Sequence, residues 1–137
     1  MLRDNVRHYF LEGDFNCAET TLHVLNDEYK LGLSLEDFKL VSGFGAGCGC
    51  GITCGALAGA IAALGVLEVK ERAHENPAFK ELCGAYCQAF AEALGSMNCA
   101  DLRPRYFKEG IRCAEAIEAT ADCFEAFAAE KGLKPKA

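Results

Sequence analysis

The chain has 137 residues, 51% hydrophobic and 25% charged, which suits one globular domain over residues 1–137 with a buried core. A net charge of −6 disfavours nucleic acid and anionic membrane surfaces as partners. Residues 40–67 carry no charge, but only Gly55–Leu67 is strongly apolar; a bilayer needs about 20 such residues, so the sequence predicts no membrane span.

Helical periodicity dominates, and strand-like alternation is scarce. The first predicted helix covers Leu2 to Leu11 and stops at Gly13. Asp14 or Asn16 caps a second, Cys17 to Leu31, with the stripe Ala18, Leu22, Leu25 and Tyr29. Ser34 with Asp37 resembles a capping box for a short third helix, Leu35 to Ser42. A glycine-rich loop, Gly43 to Gly51, breaks the helical pattern. Thr53 is placed to cap a fourth helix, Cys54 to Arg72, whose small residues Gly55, Ala56, Gly59, Ala60 and Ala63 put it at the centre of the bundle. Asn76-Pro77 opens a fifth helix ending at Leu94. Ser96 to Pro104 reads as a connection holding Cys99, and a sixth helix runs from Arg105 to Glu130 with Cys113 in its apolar stripe. The expected fold is an all-α, single-domain bundle of about six helices.

Nine cysteines are many for a chain with no secretory leader pattern at its start, and an odd number cannot all pair within it. The expected location is cytoplasmic, where thiols stay reduced and serve metal, cluster or exchange chemistry. The plainer use of cysteine is as a small core residue. Cys17 and Cys54 fall at predicted helix starts, where free N–H groups and the helix dipole favour a thiolate and a depressed pKa. Cys99 and Cys113 would complete a four-thiolate cage able to hold zinc or an iron–sulfur cluster. Cys48 and Cys50, in the glycine-rich loop, are candidate cofactor-binding thiols. Cys83 and Cys87 share a helix face and read mainly as packing, and Cys123 as peripheral. His8, His23 and His74 read as solvated.

Asn16-Cys17-Ala18-Glu19, Ser42 to Gly47, Cys54-Gly55-Ala56-Leu57-Ala58-Gly59, Gly95 to Leu102 and a late cysteine together resemble the C_GCAxxG_C_C family of redox-active proteins over nearly the whole chain. The resemblance implies four signature cysteines, Cys17, Cys54, Cys99 and Cys113, with Cys123 the rival for the last. The redox partner protein, electron donor or acceptor, is not legible in the sequence. Related domains occur fused to haem-binding segments, but the chain has no Cys-x-x-Cys-His, so covalent haem is not implied. Three functional readings follow. The first is electron transfer through a thiolate-bound iron–sulfur cluster or metal. The second is a dithiol–disulfide protein with Cys54 as nucleophile and Cys17 or Cys99 resolving. The third is a non-catalytic binding protein with structural zinc. The small-residue helix would also serve as a homodimer seam. No substrate is legible, so catalysis stays open.

Overall fold

A computed structural model describes residues 1–137. The chain is all-α: five helices, joined by shorter helical turns, with two isolated β-bridges as the only strand-like pairing. The helices are α1 (Cys17–Tyr29), α2 (Gly55–Glu68), α3 (Phe79–Leu94), α4 (Cys99–Tyr106) and α5 (Ala114–Lys131).

Leu2 to Glu12 is helical throughout, tight at Leu2–Asn5 and wide at His8–Glu12; Leu2, Val6 and Phe10, four apart, are its buried face. Asn16, rather than Asp14, caps α1: its Oδ1 accepts the Glu19 N–H at 3.0 Å, and Glu19 accepts the Asn16 N–H at 2.9 Å. The expected third helix forms as a 3-10 helix, Asp37–Phe44, with Asp37 accepting the Ser34 N–H at 2.9 Å.

Helix α2 is apolar all round and packs against α1, α3, α5 and the Asp37–Phe44 turn, which makes it the centre of the bundle. Gly59 lets α1 in: a Cβ there would lie 2.5 Å from the Ala18 carbonyl oxygen. The small-residue stripe is thus an internal seam with α1. Helix α2 stops at Glu68, four residues before the expected Arg72, because the N–H groups of Lys70, Glu71 and Arg72 all donate to the Glu75 carboxylate at 2.6–3.1 Å. Helix α3 packs on α5, with Tyr86, Phe90 and Leu94 of α3 and Ile117 and Phe124 of α5 all buried and the Tyr86 and Phe124 rings edge-on at 5.5 Å.

The expected sixth helix is two helices. Helix α4 begins at Cys99, five residues before Pro104, and ends at Tyr106. The chain then folds back between Lys108 and Arg112, whose backbones exchange hydrogen bonds of 3.0 and 2.6 Å across Gly110 at φ 86°. Helix α5 starts afresh at Ala114. The long 3.6-residue periodicity hid this break, although Gly110 marks it. His8 and His74 are exposed as expected. His23 is not: it is 6% exposed, stacked between Phe38 (ring centroids 3.6 Å apart) and Tyr9 (4.6 Å). Burial lowers its pKa, and its aromatic neighbours Tyr9, Phe15 and Phe38 come from segments a single-helix pattern does not connect.

Candidate functional site

Each of the four cysteines expected to converge stands at the start of a different helix. Cys17 is the first residue of α1 and Cys99 the first of α4; Cys54 and Cys113 are the capping residues of α2 and α5. All four line one cavity of about 190 Å3, whose walls are otherwise mostly apolar. For Cys99 and Cys113 this corrects the sequence reading, which placed one in a loose connection and the other in mid-helix. The overlooked signal is a repeat: Asn98-Cys99-Ala100-Asp101 reproduces Asn16-Cys17-Ala18-Glu19, a cap residue, cysteine, alanine and an acid at the third helical position.

Backbone bonds lock the helix starts together. The Cys54 N–H donates to the Met97 carbonyl at 2.8 Å, and the Cys99 N–H to the Ile52 carbonyl at 2.7 Å, around a bridge between Thr53 and Asn98. The starts of α2 and α4 are therefore one rigid unit. On the other side, Gly55 faces Cys17 so closely that a Cβ would collide with its sulfur and lie 2.8 Å from the Phe44 carbonyl oxygen. The Cys-Gly-Ala-x-x-Gly segment thus has a steric meaning: its first glycine admits the Cys17 sulfur, its second the α1 backbone.

The glycine-rich loop forms a further wall. Ala46, Gly47, Cys48 and Gly49 are all left-handed, with φ between 54° and 75°. Ala46 and Cys48 each pay about 1–2 kcal/mol for this. The strain places the Ala46 N–H at the Cys17 sulfur, and it lays Gly47 against Cys99, where a Cβ would come within 2.6 Å of the Cys99 Cβ. Cys48 and Cys50 are exposed and do not line the cavity; the Cys50 thiol donates to the Gly47 carbonyl at 3.6 Å.

Burial, not the helix start, dominates the thiol acidities. It pushes Cys54 up from 9.0 to about 11, against the Leu57 and Ala56 N–H groups that favour its thiolate. Cys17 is raised for the same reason, against the N–H groups of Ala46 and Ala18. The expected depressed values for these two thiols are thus overturned: desolvation of the anion in an apolar cavity outweighs the backbone donors. Cys113 is raised by burial and by Cys17, and lowered by Arg103 and Arg112. Sequence reasoning missed these two arginines. Both line the cavity, each stacked on a ring: Arg103 4.5 Å from the Phe107 centroid, Arg112 4.4 Å from that of Phe10. Arg112 also donates to the Phe10 carbonyl at 3.1 Å.

All nine cysteines are free thiols in this arrangement. The four sulfurs surround a cavity rather than a point: no three Cys, His, Asp or Glu side chains gather closely enough to hold a single ion. The other three thiols lie elsewhere. Cys83 and Cys87 are half-buried on α3, and Cys123 on α5 lies beside Tyr86, whose hydroxyl donates to the Thr120 carbonyl at 3.4 Å.

The structure is thus a helical bundle that gathers four free thiols, backbone donors and two guanidiniums around one cavity. Residues 15–127 match the family described as "Putative redox-active protein (C_GCAxxG_C_C)", and the chain belongs to that family. No curated protein and no solved structure matches it. No helix is long and apolar enough to cross a membrane.

Proposed function

We propose that the protein transfers electrons through an iron–sulfur cluster held by Cys17, Cys54, Cys99 and Cys113. The observation that carries this reading is that these four cysteines, and none of the other five, line a single cavity from four helix starts. The donor set fits the group: soft sulfur ligands suit iron–sulfur clusters, and apolar walls limit solvent. Around the cavity, free helix N–H groups and the guanidiniums of Arg103 and Arg112 offset the negative charge that four thiolates bring. A tetrahedral zinc would need its sulfurs within roughly 3.8 Å of one another, which follows from Zn–S bonds of about 2.3 Å. A multi-atom cluster spans a cavity better. When bound, such a cluster supplies one-electron exchange.

The chain's own residues bind, orient and insulate. The bonds from Cys54 to Met97 and from Cys99 to Ile52 fix two ligands before any group is bound. Gly55 and Gly47 keep Cys17 and Cys99 in reach of the cavity. Burial pushes the Cys17 and Cys54 thiols up, so folding of the cluster-free protein favours their protonated forms, and a bound cation reverses that balance. The same values argue against Cys54 as a free nucleophile at neutral pH, which a dithiol–disulfide mechanism requires. The test is oxygen-free purification with iron and sulfide analysis. Stoichiometric iron and sulfide, with visible absorbance that bleaches on reduction, are expected. A colourless protein with substoichiometric iron after cluster reconstitution overturns the reading.

A further inference from the structure

We infer that the rim of the cysteine cavity is the docking surface for an acidic electron-carrier protein, an inference that rests on the electron-transfer reading above.

Seven large hydrophobic side chains are exposed, and four of them border this one site. Ile52 and Met97 supply the carbonyls that receive the Cys99 and Cys54 N–H groups; Phe44 stands two residues before Ala46 in the loop wall; Phe107 lines the cavity itself. They are 37–52% exposed, so the bundle leaves them half-finished where the site opens. Monomer surfaces carry scattered apolar residues, but a group gathered around a functional cavity marks an interaction face.

Charge identifies the occupant. The chain carries −6 overall, yet the segment from Cys99 to Cys113 holds four cations (Arg103, Arg105, Lys108, Arg112) against two carboxylates (Asp101, Glu109), a net +2. Arg103 and Arg112 form no ion pair with any carboxylate of the chain, and both are exposed. Lys108 is paired with Glu115 at 2.6 Å, and the Asp101 carboxylate accepts the Ser96 hydroxyl at 2.8 Å. The rim is thus arginine, phenylalanine and methionine on an acidic molecule, the composition that protein interfaces favour. A compact partner with an acidic patch around an apolar contact meets both features. A nucleic acid does not: the rest of the chain repels an extended polyanion, and phosphates leave the apolar side chains without a role.

Calorimetric titration of the full chain, as isolated, with an acidic plant-type ferredoxin as probe tests this. Binding is expected at low salt, weakening by about tenfold between ~0.02 M and ~0.2 M ionic strength. Ile52→Glu and Met97→Glu, which place a carboxylate on the rim outside the cavity wall, should each weaken it about tenfold. Ile52→Lys should retain it, and Lys80→Gln, an equal charge change on an exposed side chain at the end of α3 remote from Met97, should leave it unchanged. No binding at low salt, equal losses for Ile52→Glu and Ile52→Lys, or tighter binding of a short DNA duplex than of the ferredoxin overturns the inference. Iron analysis of the same samples reports separately on the cluster, because the titration reads docking without any electron transfer.

Discussion

Apart from Cys48 and Cys50 in the glycine-rich loop, the chain keeps its cysteines in two kinds of place. Cys17, Cys54, Cys99 and Cys113 stand at helix starts; Cys83 and Cys87 lie inside α3 and Cys123 inside α5. Burial raises the thiol pKa in both regions. What differs is what else reaches the sulfur. At a helix start the first N–H groups have no carbonyl of their own helix to bond, so Leu57 and Ala56 can serve Cys54, and Ala18 can serve Cys17. Inside a helix those donors are spent on the helix ladder. Cys83 meets burial and the neighbouring Cys87, and Cys123 lies beside Tyr86. The lesson is that a buried cysteine becomes a candidate ligand by its place in the helix, not by burial.

The sharpest way to break this contrast is to remove the sulfurs one at a time. Serine at Cys17, Cys54, Cys99 or Cys113 should cut bound iron at least ~10-fold. Serine at Cys83, Cys87 or Cys123 should leave it unchanged. Iron retained by all four site variants, or lost equally across both sets, would falsify the division.

A second test uses pH. The Cys54 thiol is raised from 9.0 to about 11 in the folded protein, so folding favours its protonated form. That contribution is complete below pH 9 and disappears as pH rises through about 11. It amounts to roughly 2–3 kcal/mol, from about 1.4 kcal/mol per pKa unit. Denaturant melts of cluster-free protein should therefore show stability falling across this window. Cys54→Ala should flatten the fall much more than Cys87→Ala does; equal slopes for the two would contradict the burial difference between them.

Two glycines give the smaller effects, with opposite signs. Gly55→Ala forces a methyl onto the Cys17 sulfur and should cost about 1–3 kcal/mol in a thermal or denaturant melt, with loss of iron. Gly84, exposed on α3, has open space where its Cβ would lie. Gly84→Ala should stabilise by roughly 0.5–1 kcal/mol through helix propensity, with iron content unaltered. If Gly55→Ala melts like the wild type, the close approach of α1 and α2 is not what holds the site.

Local pattern carried much of the fold. The apolar stripes of α1, α3 and α5, the stop signals at Gly13 and Gly95 and the all-small face of α2 each express a rule that acts within a few residues. That Cys17, Cys54, Cys99 and Cys113 belong together around one cavity was legible too, Cys17 and Cys54 from their position at helix starts and Cys99 and Cys113 as completing members and through family resemblance. The break between α4 and α5 was not, because Tyr106 and Cys113 happen to keep helical phase across a seven-residue gap. Nor was the burial of His23, whose ring partners are up to fifteen residues away along the chain.

By itself the sequence determined which segments coil, which faces are apolar and which glycines interrupt them, because those are local properties of the backbone and the side-chain period. Tertiary structure alone decided that four distant helix starts share one cavity and that Arg103 and Arg112 stand beside it. It also decided that burial overrides the helix start in setting thiol acidity. These depend on how much water each sulfur loses and on which strangers in sequence replace that water, and no window of neighbouring residues contains that information.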